Sequence, residues 1–368
     1  MKFSISREAL LRPLALVAGV VERRQTLPVL SNVLIQVDEA QQVALTGTDL
    51  EVELIGRTAA SLVEAPGAAT VPARKLMDIC KSLPDQAELH FALEEGRAVL
   101  RSGRSRFTLS TLPVAEFPSI EEGQGNTELS LPRGTLKQLI DATAFAMAQQ
   151  DVRYYLNGML LELRDNLVRT VATDGHRLAV CSRPADIQVS PAHKLIVPRK
   201  GVLELVRLLD GSDEPVTLTL GASHVRAHTG DFTFTSKLVD GKFPDYERVV
   251  PRGGDKVFLA DRAELRQVLS RTSILSNEKY RGVRLLLEEG NLRVMANNPE
   301  QEEAEENVAV EYSGNSLEIG FNVGYLIDVL NTVDDDRVQM TLSDPNSSAL
   351  MEQPGGGDAM YVVMPMRL

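Results

Sequence analysis

The chain alternates short runs of apolar and polar residues with longer helical patterns, and this order of patterns occurs three times. Alternation predicts half-buried strands, and apolar residues spaced three or four positions apart predict helices. Each copy opens with a short strand and then a helix, and the three helices share a leucine. These leucines are Leu10, Leu136 and Leu265, so successive copies begin 126 and 129 residues apart. A recurring pattern of this kind indicates repeated domains.

A hairpin follows the first helix in each copy. In the central copy, residues 168–172 alternate as a strand does, and Asp174-Gly175 is a pair that favours a two-residue turn. Thr48-Asp49 and Asn297-Asn298 occupy the corresponding positions in the other copies. Taken alone, the run TDGHR in the central copy is typical of a catalytic loop. Its repetition indicates a structural hairpin instead.

A second helix and closing strands complete each copy. The second helices are predicted at residues 74–82, 199–209 and 322–333, and the closing strands of the first copy at 88–93 and 97–112. Polar, Gly-rich links follow the first two copies, as expected of domain joints. We therefore expect an α+β protein of three domains, residues 1–125, 126–252 and 253–368. In each, two helices pack on one face of antiparallel sheet.

The composition is that of an ordinary globular protein, with 43% hydrophobic and 24% charged residues. The two cysteines, Cys80 and Cys181, lie in apolar runs, which predicts buried, reduced thiols in a cytoplasmic protein. The apolar run at residues 14–21 is too short for a signal peptide or for the ~18 residues of a membrane span. We expect no membrane contact.

The basic residues are concentrated on the predicted helices. The chain has a net charge of −12, but its six helices, counted over 7–24, 74–82, 133–148, 199–209, 262–276 and 322–333, hold fifteen Lys and Arg against seven Asp and Glu. This predicts a helical face that meets a polyanion through sequence-independent phosphate contacts. The alternative is that helix surfaces merely favour Lys and Arg, although Glu is an equally good helix former.

Opposite charges also mark the two ends of the chain. The third copy has an acidic run at 300–306, which a solvated loop would also explain. The first copy has Arg104 and Arg106, predicted to share one face of a strand. Such ends suit head-to-tail association, with Ile274 and Leu275 as apolar partners on the acidic side and Leu76 and Ile79 on the basic side.

The sequence gives little support to the hypothesis that the protein is an enzyme. Asp174 and His176 could form a dyad, but the sequence has no G-x-S-x-G elbow, no phosphate-binding loop and no dinucleotide fingerprint. His224 and His228 lie four apart in a strand pattern, which does not suit a metal pair. Residues 334–336 are three aspartates in a predicted solvated turn. We expect no catalytic residue, metal or cofactor.

The whole chain resembles the β subunits of bacterial DNA polymerase III, the sliding clamps. The segments that carry the resemblance are 26–28 (TLP), 45–51 (LTGTDLE), 101–107 (RSGRSRF), 150–158 (QDVRYYLNG), 168–180 (VRTVATDGHRLAV), 243–246 (FPDY), 297–306 (NNPEQEEAEE) and 362–368 (VVMPMRL). The Gly-rich residues 353–359 depart from the family pattern. The resemblance implies a ring-shaped homodimer of the DNA-clamp fold, with sheets outside and two helices per domain lining a central hole.

The resemblance also implies three sets of site residues. The residues expected to touch duplex DNA, without sequence specificity, are Arg24, Gln150, Tyr154 and Tyr155, although the two tyrosines could instead be strand-end packing. The residues expected to form a peptide-binding pocket are Arg153, Leu156, Thr173, Gly175, His176, Arg177, Leu178, Pro244, Arg248, Val249, Val362, Met364, Pro365, Met366 and Leu368. The residues expected at the dimer interface are Lys75, Leu76, Ile79, Arg104, Arg106, Phe107, Leu109, Ile274, Leu275, Glu300, Glu302, Glu303, Glu305 and Glu306.

The function that follows is that of a non-catalytic processivity factor. Its partners would be the polymerase catalytic subunit, the clamp loader and other proteins with a clamp-binding motif. The alternatives are a non-ring DNA-binding scaffold that uses one basic helical face and, further off, a hydrolase built on Asp174 and His176.

Overall fold

The computed structural model describes residues 1–22, 27–120 and 127–367. Three copies of one α+β domain follow one another in the chain. The first copy comprises β1 (Lys2–Ser6), α1 (Arg7–Val20), β2 (Asn32–Val37), β3 (Gln42–Thr48), β4 (Val52–Ala59), β5 (Leu62–Ala65), β6 (Gly67–Pro72), α2 (Ala73–Ser82), β7 (Glu88–Glu94), β8 (Arg97–Ser102) and β9 (Ser105–Ser110).

The other two copies have the same order of elements without the counterpart of β5. The second comprises β10 (Thr127–Pro132), α3 (Arg133–Thr143), β11 (Gly158–Arg164), β12 (Leu167–Thr173), β13 (Arg177–Pro184), β14 (His193–Pro198), α4 (Arg199–Val206), β15 (Pro215–Leu220), β16 (His224–Thr229) and β17 (Phe232–Lys237). The third comprises β18 (Lys256–Asp261), α5 (Arg262–Thr272), β19 (Gly282–Glu288), β20 (Asn291–Asn297), β21 (Glu303–Glu311), β22 (Leu317–Asn322), α6 (Val323–Thr332), β23 (Arg337–Leu342), β24 (Ala349–Glu352) and β25 (Ala359–Val363).

The strands form three antiparallel sheets, and two of them cross the borders between copies. A five-stranded sheet has the order β5-β1-β7-β8-β9, and an eight-stranded sheet has the order β10-β15-β16-β17-β4-β3-β2-β6. A twelve-stranded sheet has the order β14-β11-β12-β13-β25-β24-β23-β18-β21-β20-β19-β22. Contacts divide the chain into two compact units, residues 1–137 with 200–238 and residues 138–199 with 239–368. The first two sheets lie in the first unit and the third sheet in the second.

Several predicted helices are longer than the helices in the structure. The helix predicted at 7–24 ends at Val20, and the helix predicted at 133–148 ends at Thr143. Thr143 bonds through its hydroxyl to the Leu139 carbonyl, a local bond that competes with the helix ladder, and a 3-10 turn follows. α5 gives way in the same manner to a 3-10 turn, Ser273–Leu275. The shortened helices still hold twelve Lys and Arg against six Asp and Glu.

Two of these basic residues have the same structural role in the first and third copies. Arg7, Arg133 and Arg262 each begin the first helix of a domain. The Arg7 guanidinium donates to the Cys80 carbonyl at the end of α2, and that of Arg262 donates to the Leu330 carbonyl in α6. A cation at a helix C-terminus satisfies carbonyls that lack helical partners. Arg7 and Arg262 therefore join the two helices of their domains, whereas Arg133 pairs with Asp210, beyond the end of α4.

The prediction of one continuous strand and the alternative of a solvated acidic loop were both wrong. The strand predicted at 97–112 turns at Gly103, where φ is +55°, so Arg104 lies in the turn and does not share a strand face with Arg106. The acidic run does not lie wholly in a loop, because β21 begins at Glu303. The Gly-rich residues 353–358 form the connection between β24 and β25.

Both cysteines lie in the cores of the domains. Cys80 and Cys181 are buried and unbonded, as predicted, and burial raises the pKa of each thiol to about 11. Across residues 1–22, 27–120 and 127–367, no helix is both long and apolar enough to cross a bilayer.

Candidate functional site

The central hairpin turns through a three-residue loop, Asp174 to His176, and not through the two-residue turn predicted from the sequence. Asp174 Oδ1 accepts bonds of 2.9 and 3.0 Å from the backbone N–H groups of His176 and Arg177. In the first copy, Asp49 Oδ1 accepts the two corresponding bonds from Glu51 and Val52. Asp174 therefore holds the loop as its sibling does, and it has no catalytic partner in His176.

Gly175 allows Arg153 to approach this loop closely. Its φ is +88°, and a Cβ at this position would lie 2.9 Å from Arg153 Nη2. Arg153 also pairs with Asp151 at 2.9 Å, and the bonds that Arg153 donates hold the pKa of the Asp151 carboxyl at about 2. The Arg153 side chain is thus fixed against the loop while it stays half exposed.

Arg177, one of the residues expected to form the pocket, is a structural anchor of the hairpin. Its guanidinium donates to Asp174 Oδ2 at 3.1 Å and to the Phe145 carbonyl at 2.9 Å, and it pairs with Asp328. It also lies over two rings, 5.2 Å from the Phe145 centroid and 4.6 Å from the Tyr325 centroid. All of its donor groups are therefore directed into the protein.

A cavity of about 170 Å³ lies beside this hairpin. It is lined by Arg153, Tyr155, Leu156, Thr173, Gly175, Arg177, Leu178, Pro244, Asp245, Tyr246, Val249, Val362 and Met364. The structure thus brings ten of the predicted pocket residues together around one space. Most of its wall is apolar. Leu178, Tyr246 and Val362 of this wall belong to a buried hydrophobic cluster. Such a wall with a few polar groups suits an apolar side chain of a ligand.

Four predicted pocket residues do not line this cavity. His176 stacks on Tyr325, with ring centroids 6.3 Å apart, and Arg248 pairs with Asp245 at 2.7 Å on the outside. Met366 was predicted as an apolar wall, but its N–H donates to the Gly320 carbonyl at 2.8 Å. Pro365 lies between Met364 and Met366 and is half-buried. Leu368 lies outside the described residues.

Sequence reasoning missed three lining residues, Tyr155, Asp245 and Tyr246. Tyr155 was assigned to DNA, but its ring lines the cavity. Asp245 and Tyr246 follow Pro244, which was recognised, in the FPDY segment. The first copy has Ser119-Ile120 at the corresponding positions, so this difference between the copies could have marked Asp245 and Tyr246 as functional residues.

The residues predicted to touch DNA are partly described. Gln150 is exposed and has a φ of +56°, and Tyr154 is exposed and packs beside Gly241. Tyr154 and Tyr155 lie in a 3-10 turn, Tyr154–Leu156, shortly before β11, and Tyr155 packs against the core cluster there, as the alternative of strand-end packing predicted for it. Arg24 lies outside the described residues.

The predicted dimer residues are mostly at the surface. Lys75, Arg104, Arg106, Ile274 and four of the five glutamates are exposed, and Ile79, Phe107, Leu275 and Glu306 are half-buried. Glu306 already pairs with Arg271 at 2.5 Å. Leu76 is wrong as an interface residue, because its side chain is fully buried in the first domain. Leu109 is also buried and can offer little surface.

Other candidate chemistry is absent from the parts of the chain that the structure describes. No group of three or more His, Cys, Asp or Glu residues there could hold a metal ion. His224 and His228 lie on β16, where each ring contacts a neighbouring hydroxyl, Ser223 or Thr233.

The fold and the cavity define a binding protein built from three copies of one α+β domain. Models of the N-terminal, central and C-terminal domains of the DNA polymerase III beta subunit match residues 1–121, 130–245 and 247–367. The chain is 63% identical to the beta sliding clamp of Pseudomonas aeruginosa and 56% identical to that of Escherichia coli, over the full length of each pair. A crystal structure of the P. aeruginosa clamp bound to griselimycin matches it with a TM-score of 0.96 at 63% identity, covering all of both chains.

The chain therefore belongs to the DNA polymerase III beta subunit family, and its function is that of a DNA sliding clamp. The resemblance drawn from its sequence segments is confirmed, as is the α+β fold of three repeated domains.

Proposed function

We propose that the chain acts without catalysis, in the cytoplasm, as a ring-shaped homodimer that encloses duplex DNA. Through its pocket it would tether the replicative polymerase, the clamp loader and other proteins with a clamp-binding motif. The observation that carries the proposal is the way in which neighbouring copies are joined.

Each junction within the chain joins the same pair of strands. The strand after the hairpin loop of one copy pairs with the last strand of the next copy. β4 pairs with β17, with Val52 opposite Ser236, and β13 pairs with β25, with Leu178 opposite Val362. By this rule the third copy offers β21, and the first copy offers β9, to another chain. Head-to-tail pairing of β21 with β9 closes a ring of two or more chains.

The register of the internal junctions also places the charges. Glu303 corresponds to Leu178 and Glu53, because each lies opposite the last residue before its loop. Carried over to β21 and β9, this register sets Arg106 opposite Glu305 or Glu306. This register supports the head-to-tail association expected from the opposite charges at the two ends, because it places an arginine opposite a glutamate.

The helices follow the same rule. The hairpin loop of the first copy meets the second helix of the second copy, where Lys200 pairs with Asp49. The loop of the second copy meets α6 through Arg177 and Asp328. The loop of the third copy would then meet α2 of a partner chain, where Lys75 and Ile79 are available at the surface. Ile274 and Leu275 lie in the 3-10 turn after α5 and supply apolar surface for this contact.

Binding of DNA would use the basic residues of the helices, together with Gln150, Tyr154 and Arg24. Sequence-independent phosphate contacts suit a protein that slides, because no base is recognised. Binding of protein partners would use the apolar cavity, with Met364 as an adaptable wall and Arg153 at its rim.

The experiment that tests the proposal compares how long the protein stays on circular and on linear DNA. A closed ring is retained on a circle and is lost from free ends. A scaffold that binds DNA with one basic face without enclosing it would leave both at the same rate.

A further inference from the structure

A buried polar network lies behind the part of the cavity wall that Tyr246 forms. Tyr246 Oη donates to Glu162 Oε2 at 2.8 Å, and Arg169 Nη1 donates to Tyr246 Oη at 2.9 Å. Glu162 is only 5% exposed, although it carries a carboxylate. A buried carboxylate is costly unless it is paired and hydrogen-bonded, so this group has a specific role in the structure.

Cations surround the Glu162 carboxylate from three sides. Lys194 Nζ lies 3.7 Å and Arg164 Nη2 3.8 Å from Oε1, and Arg169 Nη1 lies 3.9 Å from Oε2. Arg169 is held in turn by the Ser182 hydroxyl at 2.7 Å and by Glu247 at 3.6 Å. Arg164 Nε has no hydrogen-bond partner, but the bonds between Glu162, Tyr246, Arg169 and Ser182 form a continuous chain. Such a chain of hydrogen bonds rigidifies the segments that it joins.

The segment joined here is a wall of the cavity. Pro244, Asp245, Tyr246 and Val249 all line it, and Tyr246 to Arg248 form a 3-10 turn. The Tyr246 ring packs against Leu178 and Val362, while its hydroxyl points to Glu162 on β11. Burial raises the pKa of this hydroxyl, so it stays protonated and remains a donor.

The repeats show that the network belongs to the copy that has the cavity. Cross-strand partners in the first hairpins are Gln36 with Ala44 in the first copy, Glu162 with Arg169 in the second and Leu286 with Arg293 in the third. Ile120 stands in the first copy where Tyr246 stands in the second. The acid, the arginine and the tyrosine therefore occur together only in the central domain.

We propose that Glu162 and Arg169 are positioning residues for peptide binding, which hold the Tyr246 hydroxyl and thereby fix the 244–249 wall of the pocket. They never touch the ligand. Without them the Tyr246 turn would sample positions that narrow or open the cavity. Peptide binding would then have to order this turn, which lowers the affinity. This inference rests on the proposed peptide-binding function of the cavity.

The test measures the affinity of a fluorescent peptide from the tail of the replicative polymerase for the full-length protein. Glu162→Gln and Tyr246→Phe should each weaken binding about five- to tenfold, the scale of one ordinary hydrogen bond. The double variant should bind no more weakly than the weaker single variant, because both changes break one link. Asp358→Asn, which removes an ion pair with Arg183 in the same sheet, should bind as the wild type does.

The outcomes separate the two claims. If Met364→Ala binds the peptide as tightly as the wild type, the proposed pocket is wrong. If Met364→Ala weakens binding but Tyr246→Phe does not, the pocket stands and the positioning role is overturned. Additive effects of Glu162→Gln and Tyr246→Phe would also overturn it. Should Glu162→Gln fail to fold, Tyr246→Phe decides alone, since it keeps the ring and removes only the hydroxyl.

Discussion

Arg177 and Asp328 lie 151 residues apart in the chain and form an ion pair between the central hairpin and α6. The guanidinium also bonds Asp174 and the Phe145 carbonyl. We expect Arg177→Ala to lower the free energy of unfolding by roughly 2–3 kcal/mol, because it leaves charged partners of a largely buried group unpaired. Urea unfolding measures this loss.

Arg183→Ala is the matched control for Arg177→Ala. Arg183 lies on the same strand as Arg177, β13, and pairs with Asp358. Its side chain is about a third exposed, so loss of this pair should cost less than about 1 kcal/mol. Equal losses in the two variants would show that Arg177 is not an anchor.

The interface can be tested by removing its apolar part. We expect Ile274→Ala with Leu275→Ala to give monomers in sedimentation, because these side chains supply the exposed apolar surface of the acidic end. Val257→Ala is a control, since Val257 is also exposed but lies on β18 outside the proposed contact. An unchanged oligomer in the double variant would argue against the proposed interface.

The end of the chain should be needed for peptide binding and not for assembly. We expect deletion of residues 364–368 to abolish binding of a polymerase tail peptide, measured by calorimetry, while the oligomer persists. Within this segment Met364 lines the cavity and Met366 does not. Met364→Ala should therefore weaken binding, and Met366→Ala should leave it nearly unchanged. The reverse order of the two would contradict the assignment of the cavity.

Both thiols should be unreactive in the folded protein. Burial raises the pKa of Cys80 and of Cys181 to about 11, and only the thiolate reacts with disulfide reagents. At pH 8 we expect no rapid modification in the native state and modification of both thiols in denaturant. Unfolded thiols ionise near pH 8.5, so their contribution to stability is intact below about pH 8.5 and is lost as the pH rises toward 11. Rapid labelling of the native protein at pH 8 would refute this.

The repeats could be predicted because the same alternation of strand and helix occurs three times with nearly constant spacing. The ends of α1, α3 and α5 could not, since they depend on hydroxyl bonds and tertiary contacts that leave no periodic trace. The turn at Gly103 has a local signal, because Ser102-Gly103 is a pair typical of turns and polar residues flank it on both sides, and the prediction of one strand over 97–112 did not use this signal. The residue pattern therefore predicts that a helix or strand exists more reliably than it predicts where the element begins and ends.

The pocket was largely predicted, but only through resemblance. Nothing local in the sequence distinguishes Met364, which lines the cavity, from Met366, which pairs with Gly320. Likewise Arg177 has the residue type of a rim anchor, yet its partners Phe145 and Asp328 lie far away in the chain. Burial of Leu76 depends on which face of α2 packs against the core. The apolar residues at 76, 79 and 80 do not show which of them face the core and which face the surface, because that depends on tertiary packing.

The most direct test of enclosure is the lifetime of the protein on DNA of different topology. The protein is assembled on a closed plasmid with the clamp loader, and the bound fraction is followed by gel filtration before and after a single restriction cut. The account predicts long retention on the circle and rapid loss after the cut, because a ring slides off free ends. Equal lifetimes on circular and linear DNA would contradict it.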